Sequence, residues 1–514
     1  MQRTSHDAEA FVGLHSLEPR TLMSGDPILL WNQIAIDTAL ADTRAAVSSQ
    51  PGPTNTSRAM AIVHGAMFDA YNGITWEFTP FLSQRRSPGA SIDAAVAQAA
   101  HDTLVSLYPM QAATLDIHLE NVLDDIKNGQ AETKGVQHGK AVAQFILNKR
   151  KNDGSQATMT YVPGTKPGDH QVDPLNPGQG FLTPLWGKVM PFTMKSGTQF
   201  APPQFPQLTS AQYTAAFEEV RVKGAIDAEV SDRNNDGKPD RTDDQTEIGI
   251  FWGYDHRMGT PVRIYNQAAR NVAAQMGNKV GDNARLFALL NLSMADAGIN
   301  AWAAKYGTSR DIWRPIVGIR NADTDGNPNT IADPMWVPLG APANFGDPTG
   351  FAGGVGPDAD PDPVGGPDFT PPFPAYTSGH ATFGAAAFKT LANFYRRDNI
   401  PFSLFSEDSG TSRSFDSFSE ASKENGISRI YLGVHWQPDN VEGMKAGEKI
   451  ADNAFKNFLK PAAVPTSQVI ASIGSDLQLT VNAVKPVFTF SLNLTGNGGS
   501  VVGKKSGFFL TIRV

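Results

Sequence analysis

No cysteine occurs anywhere in this 514-residue chain, which excludes disulfides, thiolate metal sites and a cysteine nucleophile. No apolar run reaches the roughly 18 residues needed to cross a bilayer, and the N-terminus lacks a basic stretch followed by an apolar one. A membrane-embedded protein is therefore not expected. Positive charge is not in excess either: 43 Lys and Arg stand against 51 Asp and Glu, a net charge of -8. That balance excludes a broad nucleic-acid-binding face, although a small cationic pocket fits inside an acidic total. Aromatic residues make up 9% and charged residues 18%, beside 40% hydrophobic, the composition of a soluble globular protein able to bury a sizeable core. What is plentiful is glycine, at 48, and proline, at 36, which predicts many turns and some long ordered loops.

Residues 1 to about 28 read as an N-terminal tail. Within it, Leu17-Glu18-Pro19-Arg20-Thr21-Leu22-Met23-Ser24 resembles a short segment near the start of some exported bacterial proteins, so export is expected. Apolar residues then fall at helical spacing over Leu29–Asp42, Ser57–Tyr71, Ser91–Leu107, Gln111–Ile126 and Gln130–Lys149, with His64 expected as a core histidine. Between Asp153 and Gln207 the period is lost among Pro, Gly and isolated aromatics such as Phe181, Trp186 and Phe192, a long loop suited to walling a pocket. Helical spacing resumes over Ala211–Lys223, Gln245–Trp252, Val262–Met276 and Asn283–Ala304. A second Gly/Pro/Asp-rich excursion covers 319–373, followed by helices over Ser378–Tyr395 and Asp439–Leu459. After Pro465 the pattern alternates as strands do, in Asp476–Leu494 and Gly507–Val514. The expectation is a mainly α protein of helical bundles with long loops: a tail at 1–28, a catalytic helical domain at 29–464 and a small β appendage at 465–514.

One loop has the spacing of a calcium site. Asp232, Asn234, Asp236, Asp240 and Asp243 place oxygens at positions 1, 3, 5, 9 and 12 with Gly237 at 6. The twelfth position is Asp where such loops favour a bidentate Glu, and Asp/Asn/Gly clusters also serve simply as turns.

Three further segments carry the chemistry. Phe373-Pro374-Ala375-Tyr376-Thr377-Ser378-Gly379-His380 opens a helix, whose first N–H groups and dipole favour an anion. Trp302 to Pro315 contributes Lys305 as a point charge and Arg314 as a planar fork. Ser428 to Asp439 adds Arg429, His435 and a carboxylate. Two arginines, a lysine, a serine hydroxyl and a glycine N–H make a receptor for a tetrahedral oxyanion.

Taken together, the segments resemble the signature shared by type 2 phosphatidic acid phosphatases and vanadium-dependent haloperoxidases: Lys…Arg-Pro, then Pro-Ser-Gly-His, then Ser-Arg-x-x-x-Gly-x-His-x-x-x-Asp. Ser428, Arg429, Gly433, His435 and Asp439 match the third part at every fixed position. The residues flanking Ser378-Gly379-His380 and the run Ser428–Trp436 are similar to the soluble chloroperoxidase-like branch. That resemblance implies vanadate as cofactor, with His435 as its axial ligand and Lys305, Arg314, Ser378, Gly379 and Arg429 binding its oxygens. It implies His380 as the acid–base group, and Trp302 and Phe373 as aromatic walls of a halide pocket. Hydrogen peroxide and halide would be the substrates, with a small organic acceptor. Two departures stand out: Thr377 replaces the motif's proline, and Lys305 lies nine residues before Arg314 where the family spaces them by seven, so that Arg310 is an alternative cation.

The same residues also suit a soluble acid phosphatase that binds phosphate, with His435 as nucleophile, Asp439 fixing its tautomer and His380 protonating the leaving alcohol. A third reading is an exported, non-catalytic oxyanion-binding protein.

Overall fold

The computed structural model describes residues 25–45, 47–254, 260–307, 311–340 and 370–462, together with the backbone of four strands between Gln468 and Lys505. Two compact units result, one running to Trp76 and from Pro80 to Lys460, the other joining Glu77–Thr79 to the chain from Pro461 onward.

The first unit holds thirteen helices among the described residues: α1 (Pro27–Thr43), α2 (Gly52–Thr75), α3 (Ile92–Leu107), α4 (Ala112–Asp124), α5 (Gln130–Arg150), α6 (Ala211–Lys223), α7 (Asp243–Phe251), α8 (Pro261–Gln275), α9 (Val280–Gly307), α10 (Pro315–Arg320), α11 (Gly379–Tyr395), α12 (Phe418–Tyr431) and α13 (Gln437–Asn457). Many start where side chains can take the orphan N–H groups of a first turn. Asp26 caps α1, Ser91 caps α3, Thr242 and Gln245 form a reciprocal box on α7, and Ser417 caps α12. The expected helices are all present. Sequence periodicity missed α10, which is six residues long, and α12, whose Glu, Lys, Asn and Ser residues blur its apolar stripe. It also missed a short hairpin, β1 (Phe402–Phe405) with β2 (Ser412–Phe415).

Helix α9 is the axis. It is buried on all sides from Leu286 to Trp302 and packs on α2 from the first half of the chain and on α11 and α13 from the second. Each of Leu286, Phe287, Leu289, Leu290 and Leu292 is wholly enclosed, worth about 1.5–3 kcal/mol per side chain. Beside them runs a buried polar chain. Asn32 Nδ2 donates to His64 Nε2 at 2.8 Å, His64 Nδ1 donates to the Met60 carbonyl at 2.8 Å, and Asn266 and Asn291 exchange amide hydrogen bonds at 3.0 Å. His64 is thus a satisfied core histidine, kept neutral by burial with its pKa lowered to about 4.

Helices α11 and α13 meet unusually closely because the contact is made of small residues. A Cβ at Gly447 would stand 2.3 Å from the Thr382 carbonyl oxygen, and one at Gly443 would stand 3.0 Å from that of Ser378. This approach brings the start of α13 against the start of α11, where the Ser378 N–H donates to the Asp439 carbonyl at 3.0 Å.

The second unit holds an antiparallel sheet in the order β3 (Gln468–Ser472), β4 (Leu477–Val484), β5 (Val487–Leu494), β6 (Ser500–Lys505), with Leu477 opposite Leu494 and Val484 opposite Val487. The strand expected at Gly507–Val514 lies outside the described residues, as do the tail and its Leu17–Ser24 segment. No helix among the described residues is long and apolar enough to cross a membrane.

Candidate active site

The third motif folds as a helix, a tight turn and a second helix, and each of its fixed residues has a local task. Ser428 Oγ returns a hydrogen bond to the Asn425 carbonyl at 2.7 Å. Gly433 adopts φ +70°, and a Cβ there would meet the Gly224 carbonyl oxygen at 2.4 Å, so the turn demands glycine. His435 then enters the interior just before α13. Its Nδ1–H donates to Asp439 Oδ2 at 2.9 Å, the spacing of one helical turn, and the same oxygen accepts the Trp436 N–H at 2.9 Å. The pair fixes the imidazole tautomer, leaving the Nε2 lone pair facing away from the carboxylate. Arg314 Nη1 donates to that lone pair at 3.0 Å.

Ser378 is the N-cap of α11, its Oγ accepting the Ala381 N–H at 3.4 Å, and Gly379 is the first helical residue. A Cβ on Gly379 would stand 3.4 Å from the Trp302 indole, so glycine keeps that space open. His380 Nε2–H donates to the Gly253 carbonyl at 2.7 Å.

The displaced lysine does arrive at this place. Lys305 is fully buried at the end of α9, and its ammonium donates to the Pro374 and Ala375 carbonyls at 2.7 and 3.0 Å. Arg314, the N-cap residue of α10, donates through Nε to the Phe373 carbonyl at 2.8 Å and through Nη1 to the Val434 carbonyl at 2.7 Å. Both cations lie over one ring, with Lys305 Nζ 4.8 Å and the Arg314 guanidinium carbon 4.9 Å from the Phe373 centroid. Phe373 in turn packs on Trp302 at 4.7 Å. Arg310 lies outside the described residues.

The electrostatics follow from packing cations without solvent. Burial, then the charges of Arg314, Lys305 and Arg429, hold the His435 imidazole well below its ordinary pKa, so it is neutral. Burial, then Arg314, likewise lowers Lys305. Burial raises the Asp439 carboxyl, while the Trp436 N–H, Lys305 and Arg314 oppose that rise. A site with this excess of positive charge favours an anion that shares it.

Comparison with known proteins gives the family of the chain. Residues 18–184 match the vanadium chloroperoxidase N-terminal domain, and residues 285–462 match the second helical-bundle domain of the same enzymes. The vanadium chloroperoxidase of Curvularia inaequalis is 31% identical over 509 residues, covering 80% of this chain and 78% of that protein. The chain belongs to the vanadium chloroperoxidase family. Among solved structures, a bacterial vanadium-dependent iodoperoxidase superposes with a TM-score of 0.65 at 21% identity, covering 85% of this chain and 98% of that one. A bacterial vanadium-dependent chloroperoxidase in its holo form gives 0.57 at 16% identity, covering 81% and 94%. These two are likenesses of fold.

Within this vanadium chloroperoxidase-family site, several groups had no signal in the sequence. Gly253 contributes only a carbonyl oxygen. The loop over 153–207 does line the site, through backbone contacts that no side-chain pattern reports. The Leu182 N–H donates to the Pro372 carbonyl at 2.9 Å, and the Leu182 carbonyl accepts from Trp302 Nε1 at 3.3 Å and from the Tyr306 hydroxyl at 3.2 Å. Farther along that loop, Asp296 of α9 gathers the N–H groups of Phe192, Thr193 and Met194 at 2.7 to 3.1 Å.

The calcium candidate folds differently from a gathered ligand sphere. Asp232 accepts the N–H groups of Asp236 and Gly237, Asn234 accepts that of Asp236, and Asp236 accepts that of Lys238. Asp240 is buried against the Arg233 backbone N–H and guanidinium, and Asp243 begins α7. Among the described residues no three His, Asp or Glu side chains are grouped to hold a metal ion. These oxygens serve the turns and an internal ion pair.

Proposed function

We propose that the chain is a vanadate-dependent haloperoxidase that uses hydrogen peroxide to oxidise halide to a hypohalous acid equivalent, which a small organic acceptor can consume. The observation that carries the reading is a neutral, carboxylate-oriented His435 set among Lys305, Arg314 and Arg429 beside the N-terminus of α11. That donor set fits vanadate: one imidazole nitrogen for the metal, and three cations, a hydroxyl and a helix N-terminus for its oxygens.

Bound vanadate supplies a Lewis acid that activates peroxide toward halide without changing its own oxidation state. The protein's part is to hold and neutralise. His435 offers Nε2 as ligand, which requires Arg314 to release the lone pair it occupies here. Asp439 keeps the proton on Nδ1. Lys305, Arg314 and Arg429 offset the anion's charge in a site that solvent does not reach, where each interaction is strengthened. His380, with Nε2–H committed to Gly253, takes up or gives a proton at Nδ1. Trp302 and Phe373 exclude water from the halide's approach.

Purified protein assayed with and without orthovanadate for peroxide-dependent bromination of a phenol dye tests the reading. Bromination should rise with vanadate to saturation; its absence at every vanadate level would reject the proposal. Aryl phosphate hydrolysis, measured alongside, is expected to stay negligible, and no observation favours the phosphatase or the non-catalytic reading. Export, suggested by Leu17–Ser24, belongs to the same proposal. Secretion of a reporter fused to residues 1–28 would support it, and retention in the cell would count against it.

A further inference from the structure

One buried polar side chain near the site is unexplained by the mechanism. His170, from the loop between α5 and α6, is 2% exposed, and among the described residues neither ring nitrogen has a hydrogen-bond partner. Native proteins rarely leave such groups unmet without a use for them. Its backbone is firmly placed. The segment pairs with Asp311–Trp313, the residues leading into Arg314, through His170 N–H to the Asp311 carbonyl at 2.5 Å and Trp313 N–H to the Gly168 carbonyl at 2.9 Å. The imidazole is set among aromatics, 5.6 Å from the Phe181 ring and 6.2 Å from that of Tyr161, which is itself 5.1 Å from Tyr306.

This aromatic group and the site share a wall. Tyr306 and Trp302, one turn apart on α9, both donate to the carbonyl of Leu182, the residue after Phe181. Trp302 packs at a tilt on Phe373, over whose ring Lys305 and Arg314 lie. The charges of Arg314 and Lys305 reach the His170 ring and, after burial, hold its pKa well below the ordinary value. His170 is consequently a neutral dipole buried among aromatic rings and within the field of two cations. An N–H there, flanked by aromatic rings and cations, suits a small, weakly hydrated anion that needs one directed hydrogen bond and otherwise apolar contact.

We propose that His170 is a halide-contacting residue, donating an imidazole N–H to the halide as it enters between the aromatic wall and the Lys305–Arg314 pair, and so setting halide affinity. The inference rests on the haloperoxidase reading and adds a specificity determinant to it.

The test uses the full chain loaded with vanadate, as wild type, His170→Ala and His170→Gln. Bromide and iodide are titrated by calorimetry without peroxide, and halide KM, kcat and vanadate affinity are then measured. In the alanine variant bromide binding should weaken and bromide KM should rise roughly tenfold, the worth of one hydrogen bond to a charged group. Iodide should suffer less, because its larger radius accepts a weaker hydrogen bond, and kcat and vanadate affinity should stay within about threefold. Glutamine, which also offers an N–H, should recover most of the loss. Unchanged bromide binding and KM in the alanine variant would overturn the proposal. So would a loss of vanadate affinity matching the loss of bromide affinity, or a glutamine variant as defective as alanine despite a native circular dichroism spectrum. Wild type that binds vanadate yet brominates nothing would instead reject the underlying haloperoxidase reading.

Discussion

At the scale of residues, the site depends on a histidine that must be neutral and must point one way. Burial and three neighbouring cations keep the proton off His435 Nε2, and Asp439 keeps one on Nδ1. Replacing His435 by alanine should leave the fold intact and abolish both vanadate retention after gel filtration and bromination; a variant with near-normal turnover would show that the ligand is another group. Asp439→Asn should weaken vanadate affinity about 10- to 100-fold, the usual effect of removing a carboxylate that orients a ligating histidine. Unaltered affinity would mean that the Trp436 N–H and the turn at Gly433 suffice to aim the ring. Lys305 lies nine residues before Arg314 in the sequence, where the family spaces the pair by seven. In the folded chain the end of α9 and the start of α10 both face Phe373, so distance along the chain says little about distance across the pocket.

At the scale of elements, two contacts decide whether the motifs meet. The first is the glycine-lined approach of α13 to α11, which sets Asp439 against Ser378. Gly447→Ala forces a methyl toward the Thr382 carbonyl and should cost about 1–3 kcal/mol in urea unfolding, as other overpacked cores do. An unchanged denaturation midpoint would show that α13 moves aside freely. The second is the buried polar chain joining α1, α2, α8 and α9. His64 titrates near 4 when folded and near 6.5 when unfolded. Between those values the unfolded chain binds more protons, so stability rises with pH through that window and is lost on acidification. The amount is roughly 3 kcal/mol, at about 1.4 kcal/mol per pKa unit. Asp69, raised to about 6 by burial, acts with the opposite sign over much of the same range, since its ionisation opposes folding as pH rises. The wild-type profile alone would hide both. The measurement is therefore the difference between wild type and His64→Gln, which should shrink by about 2–3 kcal/mol from pH 7 to pH 4.5. A difference independent of pH would mean that the histidine takes up its proton while folded.

At the scale of the whole molecule, every residue of the site lies in the helical unit, while the antiparallel sheet belongs to the other. A chain ended after Ala462 should keep vanadate affinity and bromination within about twofold of the full protein, and a large loss would assign the sheet a part in the site. The chemistry was legible in the linear sequence wherever its residues are neighbours in the chain. Ser428 to Asp439 is one turn between two helices, and Ser378 to His380 is one helix start, so each motif stands as a continuous segment whose residues could be matched to the family signature. The strands expected after Pro465 were legible for a similar reason, since alternation is a local property. By itself, then, the sequence determined the helical class, the two helix-end motifs and a cluster of cationic residues suited to an oxyanion within an acidic chain. Only the tertiary structure decided that Lys305 reaches the cluster, that Gly253 holds His380 and that His170 joins the aromatic wall. Those placements depend on packing between segments distant in the chain, 69 residues apart for Lys305 and Pro374 and 127 for Gly253 and His380, and on backbone carbonyls, which every residue type carries alike.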